Sequence, residues 1–320
     1  MLKDAFWRCE LFLFPRESSI LISMNLLEAL QGGILLGDGG MGTQLQAAGL
    51  KPGESGAMWN LIHPEKVLEV QKAYVAAGSD LLITNTFTAS PLALASERLE
   101  GHMVDINRTA AEIARRAFSG NRGFVLGDLG PFGGMMEPYG TVSREDVFRS
   151  YRDQAEALLA GGVDALIIET QTSLEEMEAA LEGALEAGAP CIIASMAYDL
   201  VKDGTDFRTM MGVSPEDAVE LISSKGADVI GANCGTGIDI ASAARIARRY
   251  REACSLPVMA QPNAGQPEMQ GDHIIYRETP QQMAEGVRLL VDAGVSIVGS
   301  CCGTTPEHVA LFRREIDNIV

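Results

Sequence analysis

The chain has 320 residues, of which 25 are Lys or Arg and 43 are Asp or Glu, so its formal net charge is −18. Hydrophobic residues make up 47% of the sequence and charged residues 21%, a composition typical of globular proteins with a large buried core. The acidic balance argues against nucleic-acid binding, in which clustered Lys and Arg contact phosphates, and against an anionic membrane surface.

The first 23 residues are predicted to be an extension that precedes the folded domain. No apolar run reaches the ~18 residues that a membrane-spanning helix needs. A short apolar patch at residues 11–14 is flanked by charged residues, and no small-residue cleavage site follows it, so a signal peptide is not predicted. We expect Met24 to be the natural start, residues 24–320 to form a single domain, and the protein to be cytoplasmic.

Eight short runs of apolar and β-branched residues recur along the chain. They are almost continuously hydrophobic, which is typical of parallel strands buried on both faces. The runs are ILLGDG at residue 34, DLLITNT at 80, GFVLGDLGP at 123, DALIIET at 164, CIIASMA at 191, DVIGANC at 228, PVMAQPN at 257 and SIVGSCC at 296.

Segments with helical periodicity separate these runs, among them residues 64–78, 104–118 and 143–162. Ser173 followed by Glu176 predicts a capping box at the start of the helix after the fourth strand. Four glycines are predicted to end helices in the left-handed conformation shortly before a strand: Gly78, Gly162, Gly226 and Gly294.

The spacing of the strands predicts an α/β fold of the (β/α)₈ TIM-barrel class. The first and last runs begin 262 residues apart across seven steps, which gives about 37 residues per βα unit. An open, doubly wound sheet is the alternative. The barrel matters for function because the active sites of this fold lie at the carboxyl ends of the strands.

Polar residues and cysteines stand at those predicted strand ends. The motifs are GDGGMGT with Asp38, NTFTAS with Asn85 and Thr86, GDLGP with Asp128, IIETQT with Glu169, GANCGTG with Cys234, QPNAG with Asn263 and GSCCGTTP with Cys301 and Cys302. Since all strand ends of a barrel open on one rim, residues far apart in sequence can converge there.

Three of the six cysteines, Cys234, Cys301 and Cys302, stand at these strand ends. Three thiolates without a fourth protein ligand would form an open tetrahedral zinc site, since sulfur ligands favour Zn²⁺. The alternative is that the cysteines are small buried hydrophobic residues, an interpretation that suits Cys191 and Cys254. Neighbouring strand residues point to opposite sides, so the adjacent pair needs a local kink, which the flanking Gly299 and Gly303 could permit. Spacing alone leaves zinc and the alternative open.

The motifs GDGGMGTQL, NTFTAS, GDLGP, IIET, GANCG, QPNAG and GSCCGTTPEH resemble, in order and placement, those of homocysteine S-methyltransferases. The resemblance covers residues 30–315, and the chain is most similar to the homocysteine-binding barrel of cobalamin-dependent methionine synthases. It implies a (β/α)₈ barrel, zinc bound by Cys234, Cys301 and Cys302, and methyl transfer to the sulfur of homocysteine.

The resemblance also suggests how homocysteine is bound. A free thiol titrates near ~8.5, and zinc would bind its thiolate, the nucleophilic form. Asp38 and Glu169 are assigned to the substrate ammonium, although each could instead serve a turn or a helix end. Backbone N–H groups at Gly39–Gly42 could bind the carboxylate, and Asn85 shapes the pocket or caps its strand. Asn263 is a candidate fourth zinc ligand in the absence of substrate, or a plain turn residue.

The methyl donor is the part of the function that the sequence specifies least. In the betaine-using branch an aromatic residue follows the strand-four glutamate and a long C-terminal extension is present, whereas here Thr170 follows Glu169 and the chain ends soon after the last helix. Both features favour a methylcorrinoid donor, with methylcobalamin on a separate partner protein. S-methylmethionine, S-adenosylmethionine, an acceptor thiol other than homocysteine, and a non-catalytic subunit that scaffolds a corrinoid protein remain alternatives.

Overall fold

A computed structural model of the chain describes residues 24–270 and 273–319. The predicted extension over residues 1–23 lies outside the described residues and stays a prediction. The strands are β1 (Leu35–Leu36), β2 (Leu81–Ile83), β3 (Phe124–Leu129), β4 (Ala165–Gln171), β5 (Ile192–Met196), β6 (Asp199–Leu200), β7 (Phe207–Arg208), β8 (Val229–Asn233), β9 (Val258–Gln261), β10 (Glu268–Gln270), β11 (His273–Ile275) and β12 (Ile297–Val298).

Helices alternate with the strands and pack around them. They are α1 (Leu26–Gln31), α2 (Met41–Ala47), α3 (Trp59–Ile62), α4 (Pro64–Ala76), α5 (Pro91–Glu97), α6 (Met103–Ala117), α7 (Arg144–Ala160), α8 (Leu174–Glu186), α9 (Pro215–Ser224), α10 (Ile240–Ala253), α11 (Pro280–Asp292) and α12 (Pro306–Ile319). All three helical segments named from the sequence are confirmed, as α4, α6 and α7.

Eight strands form one parallel sheet in the order β1-β12-β9-β8-β5-β4-β3-β2. The first and last members of this order meet through Asp80, whose N–H donates to the carbonyl of Leu36 at 2.7 Å. The N–H of Leu36 in turn donates to Asp80 Oδ2 at 2.9 Å. The predicted (β/α)₈ barrel is therefore confirmed over the described residues, and all eight predicted strands belong to it.

A repeated Gly-x-Asp pattern positions alternate strands. Asp80, Asp164 and Asp228 each stand directly before a strand and two residues after a left-handed glycine that follows a helix. Each carboxylate accepts the N–H of a residue on the preceding barrel strand: Leu36, Val125 and Ile192, at 2.9, 2.6 and 2.9 Å. The glycines supply the turn and the carboxylates fix the register of the neighbouring strand.

The hydrophobic core has an inner and an outer part. Inward-facing strand residues such as Leu126, Ile167 and Ile193 fill the barrel, and Leu26 of α1 packs against the same cluster. A larger cluster lies between the sheet and the helices and includes Tyr151 and Tyr250. The inner cluster is built largely from the first halves of the strands, so the interior at their carboxyl ends is left to polar residues.

One predicted helix cap is only half correct. Ser173 does cap α8, accepting the N–H of Glu176 at 3.3 Å. The Glu176 carboxylate does not return to Ser173, because it accepts the N–H of Phe132 at 2.9 Å and the hydroxyl of Tyr151 at 2.7 Å. The glutamate of the expected capping box thus ties α8 to α7 and to the loop after β3.

None of the helices in the described part of the chain is both long and apolar enough to cross a membrane.

Candidate active site

The three cysteines at the strand ends come together at the mouth of the barrel. Cys234 follows β8, and Cys301 and Cys302 follow β12; their three sulfur atoms lie within 4.8 Å of one another. The Sγ atoms of Cys301 and Cys302 are 3.9 Å apart. A tetrahedral zinc with Zn–S bonds of about 2.3 Å needs sulfur atoms roughly 3.8 Å apart, so this donor set fits zinc in size and chemistry.

The backbone around the sulfur atoms is turned sharply. Cys234 has φ 58°, a left-handed conformation that non-glycine residues adopt at an energetic cost, and it is followed by Gly235 at φ 87°. Since β12 ends at Val298, Cys301 and Cys302 lie in a turn and not within a strand. The kink needed by the adjacent pair is present, with Gly303 at φ 79°.

Gly299, unlike Gly303, does not have a left-handed φ. It lies where a Cβ atom would come within 2.9 Å of Gln261 Cγ, so glycine there permits close packing.

The loop after β9 fastens the cysteine loops to each other. Cys301 N–H donates to the carbonyl of Pro262 at 2.9 Å, and Ala264 N–H donates to the carbonyl of Cys302 at 2.9 Å. Cys234 N–H donates to the carbonyl of Gln261 at 3.2 Å. These backbone hydrogen bonds thus hold the turns that carry the three cysteines against the loop after β9.

Asn263, the candidate fourth zinc ligand, lies between the cysteine loops. Its Oδ1 accepts the N–H of Cys302 at 3.1 Å, and its Nδ2 lies 3.7 Å from Sγ of Cys234 and 3.3 Å from the carbonyl oxygen of Gly235. The carboxamide thus directs an N–H group to sulfur, and its oxygen is already engaged by a backbone donor. The geometry favours a hydrogen-bonding role around the thiolates, and direct ligation stays a prediction.

The thiols of the cluster differ in proton affinity. Hydrogen bonds from Cys301 and Cys302 lower the pKa of Cys234 well below its usual range. The same contacts raise the pKa of Cys301, and hydrogen bonding to Cys234 raises that of Cys302 to about 11. Cys191 lies in the inner core, where burial raises its pKa to about 12. The cluster therefore stabilises a thiolate, whereas Cys191 is kept as a thiol.

Three buried carboxyl groups, Asp38, Asp128 and Glu169, share the same mouth; they are 2%, 3% and 8% exposed. Burial is the largest cause that raises the pKa of each, to about 8 for Asp38, to about 7 for Glu169 and well above the usual range for Asp128. Each also influences the charge of another member, and the charge of Cys234 acts on Glu169. The carboxyl groups and the thiols therefore form one electrostatic unit.

Glu169 is held by a residue that the sequence analysis did not identify, Asn233. Its Nδ2 donates to Glu169 Oε2 at 2.6 Å, and its Oδ1 accepts the N–H of Thr170 at 3.0 Å. Thr170 has φ 59° at a register shift of β4, so the backbone is irregular directly after Glu169. The position of Asn233 in GANC, directly before Cys234, was the one available signal.

Asp38 is anchored to the neighbouring strand. Its Oδ2 accepts the N–H of Ile83 at 2.8 Å, and its carbonyl accepts the N–H of Ser300 at 3.1 Å. Gly39 follows, and a Cβ there would come within 2.6 Å of Thr304 Oγ1, so only glycine fits. Of the amides predicted to bind a carboxylate, that of Gly40 is already used, donating to Thr304 Oγ1 at 3.0 Å.

Asn85 and Thr86 are engaged in supporting contacts. Asn85 Nδ2 donates to the carbonyl of Gly56 at 2.7 Å and to Asn60 Oδ1 at 3.1 Å. Thr86 Oγ1 donates to the carbonyl of Asp128 at 2.8 Å. These bonds give both residues a structural role at the rim, and a contact between Asn85 and substrate stays a prediction.

Tyr276 is a further neighbour of the thiols that sequence reasoning missed. Its ring lies against Gly303, where a Cβ would approach Cγ of the tyrosine to 2.2 Å. Burial raises the pKa of Tyr276, and the nearby Cys302 raises it further. The side chain covers the cysteine turn from the segment after β11.

The fold and the site define a class: a (β/α)₈ barrel that carries three converging thiols and three buried carboxyl groups at its mouth. Residues 35–316 match the family model described as homocysteine S-methyltransferase. The chain belongs to this family, as the motif resemblance predicted.

Relatives and solved structures agree with the assignment. The methionine synthase of Mycobacterium tuberculosis is 30% identical over 311 residues, covering 93% of this chain and 26% of that protein. The Mycobacterium leprae methionine synthase is 31% identical over 297 residues, covering 89% and 24%. The chain thus spans about a quarter of the length of these curated relatives.

Among solved structures, the metallated form of the homocysteine methyltransferase MmuM from Escherichia coli superimposes with a TM-score of 0.73. It is 27% identical in sequence, and the match covers 90% of this chain and 99% of that one. The carboxyl transferase domain of Rhizobium etli pyruvate carboxylase, at 15% identity and a TM-score of 0.51, shares the fold alone.

Proposed function

We propose that the protein transfers a methyl group to the sulfur of homocysteine and so forms methionine. The observation that carries the proposal is the pairing, within one barrel mouth, of three convergent thiols with three buried carboxyl groups. Homocysteine has a sulfur atom at one end and an ammonium group at the other, so the two sets match its two ends. Membership of the homocysteine S-methyltransferase family supports the same acceptor.

Cys234, Cys301 and Cys302 would hold Zn²⁺, a metal whose size and preference for sulfur fit the spacing of these atoms. When bound, zinc supplies a Lewis acid that keeps the substrate sulfur as a nucleophilic thiolate at neutral pH. Asn263 directs an N–H group to Cys234 and orients the cysteine loops through Cys302.

Asp38 and Glu169 would bind the substrate ammonium, and the amides near Gly39 would bind its carboxylate. Both carboxyl groups are buried and positioned by neighbours, Asp38 by Ile83 and Glu169 by Asn233. Little conformational entropy is therefore lost when they bind the substrate. Asn85 is assigned to the wall of the pocket. These contacts would orient the sulfur for in-line attack on a methyl group, and the proposal requires no general base at the sulfur.

For the donor we propose a methylcorrinoid, with methylcobalamin on a separate protein. The similarity to methionine synthases and the presence of Thr170 after Glu169 support this choice. We place the reaction in the cytoplasm, a reducing compartment in which Cys234, Cys301 and Cys302 would stay available as thiols for metal binding.

The test is to incubate zinc-loaded protein with homocysteine and, in turn, methylcobalamin, S-methylmethionine and S-adenosylmethionine, and to measure methionine by mass spectrometry. We expect product with methylcobalamin and a loss of at least a hundredfold in rate for Cys302→Ser, with Cys254→Ser as the matched control. Methionine formed from a sulfonium donor alone would overturn the donor assignment. Methylation of other thiols but not of homocysteine would overturn the acceptor, and no transfer from any donor would favour a scaffolding subunit.

A further inference from the structure

Asp128 carries a buried oxygen that the fold leaves without a partner. The residue is 3% exposed, and its Oδ1 has no hydrogen-bond partner among the residues that the structure describes. Buried polar atoms are nearly always paired, and an unpaired one destabilises the folded state, more so when the group is charged. The described part of the fold therefore supplies no partner for this one oxygen of the Asp128 carboxyl group.

The backbone of Asp128 does not depend on its side chain. Its N–H donates to Thr84 Oγ1 at 2.9 Å, and its carbonyl accepts from Thr86 Oγ1 at 2.8 Å and from Gln154 Nε2 at 3.1 Å. All three partners would remain with any residue at position 128. The carboxyl group therefore has no structural task in holding the end of β3.

The side chain is directed into the mouth of the barrel. Side chains alternate along a strand; Leu126 belongs to the inner core, and a Cβ on Gly127 would meet Leu158 of α7 on the outer side. Asp128 therefore faces inward, where its carboxyl group contacts that of Glu169 and feels the charge of Asp38. Its unpartnered oxygen lies in the same space as the two proposed ammonium ligands.

No lysine or arginine is among the groups that act on these three carboxyls in the described part of the chain. The partner they lack is a cation with several N–H donors. An ammonium group offers three such donors, and desolvated carboxylates bind it through short, charge-assisted hydrogen bonds.

We propose that Asp128 is a third carboxylate for the substrate ammonium, beside Asp38 and Glu169, and that it makes the site selective for thiols that carry an amino group. This inference rests on the proposed function, because it assumes that the acceptor is an amino-acid thiol whose sulfur lies at the cysteine cluster. Asp128 touches the non-reacting end of that acceptor, so its effect falls on binding and selectivity.

The test compares Asp128→Asn with the wild type by calorimetric titration of the zinc-loaded protein with homocysteine and with 4-mercaptobutyrate, which lacks only the amino group. We expect the substitution to weaken homocysteine binding roughly 10- to 100-fold and to leave 4-mercaptobutyrate binding equal or tighter. Zinc content should not change, and thermal stability should be equal or higher because the substitution removes one of three buried acidic groups that act on one another.

Glu176→Gln is the matched control, since Glu176 is also buried but its carboxylate is satisfied by Phe132 and Tyr151. It should lose stability and keep the wild-type ratio of the two affinities. Asp128→Ser provides a second variant if the asparagine protein does not fold.

An unchanged ratio in the Asp128 variants, with a wild type that prefers homocysteine, would overturn the role of Asp128 and leave the proposed function intact. A wild type that binds both thiols equally would instead overturn the assignment of Asp38, Glu169 and Asp128 to the substrate ammonium, and methionine formation would still test the proposed function separately.

Discussion

Asn233 Nδ2 donates to Glu169 Oε2 at 2.6 Å, which joins the ends of β8 and β4 on either side of β5. The Oδ1 of the same carboxamide accepts the N–H of Thr170, which has a left-handed φ. The residue after Asn233 is Cys234, so one short segment determines the position of both the Glu169 carboxylate and one of the clustered sulfur atoms. The two ends of the proposed substrate site are therefore mechanically linked through the end of β8.

Replacing Asn233 by Ala should disturb the carboxylate end of the site. Glu169 would lose a strong donor, so its pKa should rise further and homocysteine affinity should fall about tenfold. Protein stability should fall by roughly 1–3 kcal/mol, because partners of the carboxamide are left buried and unpaired. Calorimetric binding and thermal melting measure the two effects. Ser195→Ala removes another bond to Asn233 without touching Glu169 and should retain most of the affinity; an equal loss in both variants would contradict the link.

The three clustered cysteines should each be required for zinc. Purified protein should contain about one zinc per chain. Cys234→Ser, Cys301→Ser or Cys302→Ser should each lose it, because only two thiolate ligands then remain to bind the metal. Metal analysis after gel filtration is the measurement. Cys191→Ser and Cys254→Ser are the controls and should keep zinc, the former with reduced thermal stability because Cys191 is buried in the inner core. Full retention by any of the first three would show that the ligand set is wrong.

Substitution of the assigned ammonium ligands should weaken binding without removing zinc. Asp38→Asn and Glu169→Gln each delete one charge-assisted hydrogen bond, so homocysteine affinity should fall roughly 10- to 100-fold. Both replacements keep an oxygen that can accept from Ile83 or Asn233, which preserves the local structure. Calorimetry with parallel zinc analysis separates the two quantities. Wild-type affinity in both variants would remove these residues from the site.

Homocysteine binding should release more protons than binding of a simple thiol. Near pH 6.5 the thiol is protonated, and so in large part are Glu169, with a pKa of about 7, and Asp38, with a pKa of about 8. Thiolate binding at the cysteine cluster should release about one proton, and the ammonium should drive additional release from the carboxyl groups. Affinity should therefore increase as the pH rises toward ~8.5 and level off above it.

Titrations in buffers of different ionisation enthalpy count these protons. The control ligand 4-mercaptobutyrate should release about one, and homocysteine more; Glu169→Gln should reduce the excess. Heats that do not depend on the buffer would mean that sulfur does not bind as a thiolate.

The buried carboxyl groups should also make stability depend on pH. The pKa of Asp38 is raised by burial from about 4 to about 8, so the folded chain without substrate holds a proton that the unfolded chain releases. This contribution is complete below pH ~4 and is lost as the pH rises toward 8. The melting temperature of Asp38→Asn minus that of the wild type should therefore increase between pH 5 and pH 8.5. A difference that stays constant would show that Asp38 is ionised throughout.

Several site contacts could not be predicted from the sequence because they join distant residues. Glu176 followed Ser173 with the spacing of a capping box, yet its carboxylate bonds to Phe132 and Tyr151, 44 and 25 residues away. The sequence predicts Asn263 as a candidate metal ligand, but the orientation of its amide group depends on the N–H of Cys302, 39 residues later. Asp128 was visible at a strand end, and only the absence of a partner for its Oδ1 in the described structure distinguishes it from a turn residue.

The sequence by itself determined the barrel and the convergence of Cys234, Cys301 and Cys302. Both follow from local patterns: apolar runs and helical periods alternate at a regular spacing, glycines end the helices, and every strand of a barrel ends on the same rim. The tertiary structure alone decided which polar groups at that rim are satisfied and which are left facing the mouth. That outcome depends on strand register and on backbone turns such as those at Thr170 and Cys234. Register and turns decide which side chains come within hydrogen-bonding distance of one another, and no single segment encodes them.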